Sequence, residues 1–270
     1  MTELDLEQTG ALWWLTVALV AALGLVVGSF LNVVAWRVPR GESISHPRSA
    51  CPACGHPVRA RDNVPVVSWL LLRGKCRDCG EPISARYPLI EAATSVLFVL
   101  VLWHFGLGIE FVAFAYLAAL GVALTSIDLS VQRLPDVLVL PAYIVLLVLF
   151  GVACALSGDW WPLARAVIGG AALFSFYFVA ALVYPGGMGF GDVKLAGVIG
   201  IALGWLGWGP LVVGAFSAFL LGGLAGIIIM AVTKSGRRTR IPFGPWMIAG
   251  AAVGVAYGDS VWDAYTGTWA

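Results

Sequence analysis

Residues 189–207 read GFGDVKLAGVIGIALGWLG: an aspartate behind two spaced glycines, followed by an apolar run broken only by Lys194. A charge placed in such a run is expensive, about 2.5–3.5 kcal/mol at the centre of a membrane helix, so Asp192 reads as a functional residue in need of a partner. The rest of the chain repeats the apolar half of this pattern. Of 270 residues 60% are hydrophobic and only 11% charged, against about 25% charged in a soluble domain. Apolar runs near the roughly 20 residues that cross a bilayer fall at 12–36, 89–107, 111–127, 137–157, 163–184, 193–207, 210–232 and 242–258. The pattern predicts an all-α polytopic membrane protein with about eight transmembrane helices. The run 193–207 is short and interrupted by glycine, which suggests a half-submerged helix or a thinned membrane. The first run follows acidic residues and has no A-x-A-like site, so it reads as a retained span rather than a cleaved signal.

Charge placement orients these spans. Of 16 basic residues, only Arg165 falls in the loops on one side. The other side holds nine in residues 37–88, together with Arg133, Lys194, Lys234, Arg237, Arg238 and Arg240. By the positive-inside rule that side is cytoplasmic and both termini lie outside. The basic stretch 234–240 is explained as a topology anchor in contact with lipid headgroups. A net charge of +1 gives no reason to expect nucleic acid, and the bilayer is the expected environment.

Residues 37–88 are the one stretch polar and long enough for a separate small domain, between an outer tail with the first helix (1–36) and a membrane domain (89–270). It repeats a knuckle, CPACGHPV at 51–58 and CRDCGEPI at 76–83. In each, a glycine after the second cysteine allows a positive-φ turn that faces backbone amides toward sulfur. Cys51, Cys54, Cys76 and Cys79 thus match a tetrahedral structural zinc site, with 21 residues between the pairs, and four sulfurs leave no open position for water. A cytoplasmic location argues against disulfides. His46 and His56 are surplus to such a site.

Other residues carry weaker signals. Ser29 and Asn32 suit helix packing, and Cys154 a small buried hydrophobe. Glu91 lies a few residues inside the second span, where it either complements a helix N-terminus or lines a polar site. Asp128 ends the third span and Asp136 opens the fourth, after Pro135. Both fall near the inner face at the depth of Asp192, and both are candidates for its partner. Pro185 to Gly191 is a glycine-rich approach that lets a backbone or an extended substrate come close. It is no phosphate cradle, because no G-K-[ST] follows. Lys194 can pair with Asp192 or with headgroups.

Taken together, GSFLNVVAWRVP at 28–39, the two knuckles, ARYPLIE at 85–91, the Asp128-to-LPD segment ending at Asp136, GMGFGDVKL at 187–195 and PFGP at 242–245 resemble the type IV prepilin peptidases. These are the leader peptidases and N-methyltransferases of pilus and type II secretion systems. The resemblance runs from about Gly28 to Gly250. It implies that Asp128, rather than Asp136, pairs with Asp192 as the catalytic dyad of an aspartyl protease with the Gly-x-Gly-Asp signature, shaped by Gly189, Gly191, Lys194 and Glu91. It implies a bacterial inner-membrane enzyme that cuts prepilin or pseudopilin precursors after a glycine, at the cytoplasmic face. It implies too that the first cytoplasmic loop serves methyl transfer from S-adenosylmethionine, although no donor pocket can be read from the residues. Glu42, Asp62, Asp78, Glu81 and Glu91 are candidates to meet a basic leader. A proton-coupled transporter is the alternative, but its ionisable groups belong near the midplane and commonly come with repeats. A non-catalytic scaffold leaves the paired carboxylates without a reason.

Overall fold

The computed structural model describes residues 3–184, 188–233 and 242–267, with side chains for 10–184, 188–232 and 242–267. Pro185, Gly186, Gly187 and the basic stretch from Lys234 to Arg240 lie outside the described residues. The described chain is helical: α1 Glu3–Arg37, α2 Val67–Leu71, α3 Arg86–Phe105, α4 Ile109–Val131, α5 Asp136–Ser157, α6 Trp161–Val183, α7 Phe190–Leu206, α8 Trp208–Thr233 and α9 Gly244–Gly267. No strand occurs among the described residues, only bridges Ala50–Pro57 and Lys75–Pro82. The expected all-α membrane architecture is present. Six helices, α1, α3, α4, α5, α6 and α8, are long and apolar enough to cross a bilayer. The α7 helix has 17 residues, about 25 Å of rise, and α9 carries Asp259 and Asp263 in its second half.

Local chemistry sets the helix ends. Pro135 is extended before α5, and Gly158 closes that helix at φ +79°, its N–H donating to the Cys154 carbonyl at 2.8 Å. Asp159 accepts the Trp161 N–H at 2.9 Å to start α6, with Pro162 in its first turn. At both helix starts proline stands where its missing N–H has no helical partner to lose.

The chain divides into two compact units, 1–111 with 115–123, and 112–114 with 124–270. In the first, α1 lies along α3. A Cβ on Gly24 or Gly28 would stand 2.6 Å from the Cα of Ser95 or Glu91, so only glycine permits this approach. Polar side chains fasten the pair: Ser95 Oγ donates to the Ala21 carbonyl at 2.9 Å, and Asn32 Nδ2 to the carbonyls of Gly28 and Tyr87. Asn32 has the packing role its position suggested. Val20, Phe98, Leu102, Phe111 and Ala115 form the apolar core beside it.

The second unit is built around α7. Val193 and every residue from Leu195 to Gly204 are buried. The glycines of α7, which the sequence associated with partial immersion or a thinned membrane, serve its enclosure by neighbouring helices. A Cβ on Gly170 would stand 2.6 Å from Ile201 Cγ1, and one on Gly204 2.8 Å from the Arg165 carbonyl. Arg165, the one basic residue of the opposite side, donates to the carbonyls of Gly204, Trp205 and Leu206 at 2.6–2.9 Å and so caps α7. Phe150 stacks on Trp205 with ring centroids 4.3 Å apart. The α8 and α9 helices meet similarly, where a Cβ on Gly254 would stand 2.7 Å from the Pro210 carbonyl.

Gly200 sits against Gly169 and Gly170, with 2.8 Å between its would-be Cβ and Gly170 Cα. Gly200→Leu is expected to destabilise the unit by about 1–3 kcal/mol through overpacking, read as a lower unfolding temperature in detergent. Gly151→Leu, which meets open space, should leave that temperature nearly unchanged.

Candidate functional site

Asp192 is the third residue of α7, and its carboxylate folds back on the residue that starts the helix. Gly189 N–H donates to Asp192 Oδ2 at 3.1 Å, and Asp192 N–H donates to the Gly189 carbonyl at 3.0 Å. This reciprocal pair satisfies two amides that a helix start otherwise leaves open. Gly189 is extended there at φ −77°, ψ 145°. Gly191 has a steric role: a Cβ on it would stand 2.9 Å from Leu134 Cβ.

Asp128 lies in the last turn of α4 and is only 5% exposed. Its Oδ2 accepts the N–H of Gly244, the first residue of α9, at 3.2 Å. A Cβ on Gly244 would approach that oxygen to 2.8 Å and Leu134 Cδ2 to 3.4 Å. Leu134 therefore touches both glycines, one beside each aspartate. The two carboxylates belong to the same unit and are near enough to interact electrostatically. Each has one oxygen held by a backbone amide at a helix start.

Asp136 has a different partner. Lys194 Nζ meets both of its oxygens at 2.7 Å and stands 5.0 Å over the Phe190 ring. Lys194 is therefore paired with Asp136, and not with Asp192 as the sequence allowed. A spacing of two residues decides this, because Asp192 and Lys194 differ by about 200° around the helix. Tyr143 Oη donates to the Lys194 carbonyl at 2.6 Å, a second tie from α5 to α7. Next to the pair opens an apolar groove of about 430 Å³ lined by Leu140, Tyr143, Phe174, Phe190 and Lys194.

Two contributors carried no signal of their own in the sequence. Gly244 was visible only as part of a PFGP turn. Tyr177 on α6, 2% exposed, lies close enough to Asp192 to feel its charge and packs 5.3 Å from Phe219 and 6.3 Å from Phe243 between ring centroids. Glu91 belongs to the first unit. Its Oε2 accepts the Val66 N–H at 2.7 Å, tying α3 to the cysteine loop.

In that loop the knuckles repeat atom for atom. Cys51 N–H donates to the His56 carbonyl and Gly55 N–H to the Cys51 carbonyl, as Cys76 does to Glu81 and Gly80 to Cys76. Gly55 and Gly80 turn at φ +72° and +75°, as the motif requires. The four sulfurs all lie within 4.8 Å of one another, with Cys51 and Cys79 at 3.8 Å. A zinc tetrahedron with bonds of about 2.3 Å needs sulfur edges of about 3.8 Å, so the donor set could hold zinc with little movement. The amides of Cys54 and Ala53 pull the Cys51 thiol down to about 7, while burial and the neighbouring sulfurs raise Cys54 and Cys79. His46 and His56 stand outside the cluster. Asp62 and Asp78, candidates for leader recognition, are instead paired at 2.6 Å with Arg77 and Arg59. The Arg77 guanidinium holds the Asp62 carboxyl below the usual carboxylate range.

A multi-pass helical protein with a four-cysteine loop and two neighbouring carboxylates, each held by an amide of a helix start, belongs among membrane enzymes of the aspartyl type. The Bacterial Peptidase A24 N-terminal domain matches residues 22–105 and the Type IV leader peptidase family matches residues 115–231. Proteins named prepilin leader peptidase/N-methyltransferase align along nearly the full length: that of Stutzerimonas stutzeri is 36% identical over 98% of each chain. That of Aeromonas hydrophila is 38% identical over 95% of this chain and 96% of its own, and that of Neisseria gonorrhoeae 40% over 92% and 93%. The chain belongs to the type IV leader peptidase family. No solved structure matches it.

The sulfur geometry leads to a direct expectation. Purified protein should carry about one zinc per chain by elemental analysis. Cys51→Ser or Cys76→Ser should lose it, and acidification should release it as the thiolates take up protons.

Proposed function

We propose that this protein removes the leader from type IV prepilin-like precursors at the cytoplasmic membrane face, with Asp128 and Asp192 as the catalytic pair, and methylates the new N-terminal amine. The observation that carries the reading is the pair itself: one buried and one half-buried carboxylate near enough to interact, each with one oxygen fixed by a glycine amide. The names of its relatives support both activities, and none favours a transporter. The cytoplasmic orientation rests on the basic residues gathered on that side.

Two close carboxylates do not both ionise cheaply, so they share one proton, and their titration belongs to the pair. The ionised carboxylate takes a proton from water as the water oxygen attacks the scissile carbonyl carbon. The protonated one donates to the carbonyl oxygen. Collapse breaks the C–N bond, and a proton returned to nitrogen frees the amine. Gly189 and Gly244 fix one oxygen of each aspartate, leaving the other to face water and peptide. The Asp136–Lys194 pair and the Tyr143 contact hold the first turn of α7 in place. The apolar groove from Leu140 to Lys194 suits the hydrophobic stretch that follows the leader.

The four cysteines would hold a structural zinc that folds the first loop, which Glu91 links to α3 and within which Trp69 ties α2 to the second knuckle. S-adenosylmethionine would supply an electrophilic methyl group. The chain would hold the freed amine neutral and in line with that methyl carbon, so that the N–C bond forms as the S–C bond breaks, the neutral thioether leaves and the amine gives up one proton.

With a purified prepilin in detergent, Asp128→Asn and Asp192→Asn are each expected to abolish cleavage, while Asp136→Asn retains much of it. Equal loss in all three would remove the assignment. Cleavage should proceed without any methyl donor, whereas mass spectrometry should find the added methyl only when donor is present. A cleavage rate that tracks donor concentration would contradict two separable reactions.

A further inference from the structure

The cysteine loop carries an apolar surface that none of its metal chemistry uses. The short α2 helix exposes Val67 at 48%, Leu70 at 61% and Leu71 at 77%. Its inward side is fully engaged: Ser68 is buried and bonds the Arg61 carbonyl, and Trp69 Nε1 donates to the Ile83 carbonyl at 3.0 Å. The leucines are thus held outward by the packing of their neighbours.

The height of α2 is fixed by one contact. Glu91 accepts the Val66 N–H at 2.7 Å, and Val66 is held at φ +61°, a conformation that a β-branched residue keeps only where its surroundings impose it. Glu91 belongs to α3, whose 20 residues rise about 30 Å, the thickness of the hydrocarbon core, so α3 has no slack in depth. Glu91 stands about 7 Å inside Arg86 along that helix, and its side chain leans back toward the helix start. The α2 helix therefore begins at the level of the first turn of α3. Tyr87 and Leu89 are exposed at the same height, where aromatic and apolar side chains meet the membrane boundary. Arg61, Arg73 and Lys75 flank α2 and are exposed. Three apolar side chains are far short of the roughly 800 Å² per partner of a stable protein interface.

We propose that α2 anchors the cysteine loop to the bilayer surface. Val67, Leu70 and Leu71 enter the boundary between headgroups and acyl chains of the leaflet where α3 starts, and Arg61, Arg73 and Lys75 meet anionic phospholipid headgroups. The arrangement joins apolar insertion to basic attraction, the pairing that makes an interfacial anchor. It also places the metal site at a set height, because Trp69 connects α2 to the second knuckle. The inference does not depend on the peptidase reading.

The test uses zinc-loaded full-length protein in nanodiscs of mixed anionic and zwitterionic phospholipid, in a Cys154→Ala background. Nitroxide labels are placed at Leu70→Cys and Leu71→Cys, with Glu42→Cys as the reference. Power-saturation EPR is expected to find the labels at 70 and 71 more accessible to oxygen than to a water-soluble nickel chelate, and the label at 42 the reverse. Nickel access at 70 and 71 matching that at 42 overturns the proposal, since the helix then faces water. Labels that neither reagent reaches overturn it too, since a protein then covers the patch. Where a labelled variant loses its zinc, the same measurement at Val67→Cys decides.

Discussion

The close packing of α6 on α7 is the constraint on which the second unit depends. Glycines at 169, 170, 197, 200 and 204 remove the side chains that would hold the neighbouring helices off α7, some of which would stand under 3 Å from backbone. Dispersion and close fit do the work, because lipid gives little hydrophobic reward for association. Once α7 is enclosed, its first turn has only one place to be, and Asp192 goes with it. The Asp136–Lys194 pair and the Tyr143 hydroxyl bond then restrain the same turn from α5.

Much of this was legible in the sequence. Apolar runs located the helices because every backbone group in a bilayer must be satisfied within its own segment. The knuckles were legible because a repeated cysteine pair followed by glycine is a local pattern, and the geometry follows from local turns. The cost of a carboxylate in an apolar run singled out Asp192 and the span count put Asp128 and Asp136 at its depth, whereas the preference for Asp128 came from the family resemblance alone. Long-range partnerships were not legible. Nothing in PFGP says that the Gly244 amide meets Asp128, 116 residues earlier. Likewise Lys194 takes Asp136 over Asp192, a choice made by helix phase and by the arrival of α5. Tyr177 looks like any aromatic in a membrane helix until folding brings it beside Asp192.

Both aspartates take an amide from a helix start, Asp192 at its own helix and Asp128 at that of α9, and this answers a difficulty of burying them. A carboxylate out of water needs donors, and helix starts are where membrane segments have amides to spare. Glu91 meets the same need differently, by taking an amide from Val66 in the loop. Three acidic side chains thus draw on backbone N–H groups, which cannot be lost by side-chain substitution elsewhere.

Arg165 bears on how the chain is made. Its guanidinium satisfies three carbonyls at the far end of α7, and α6 supplies the surface that α7's glycines fit. Alone, α7 would offer a short segment with an acidic residue, a lysine and open carbonyls to the insertion machinery. During synthesis α6 emerges first, so its groove and its arginine precede α7 into the bilayer. The order of helices along the chain is therefore also an order of assembly, in which a weak membrane segment is received by a partner already in place.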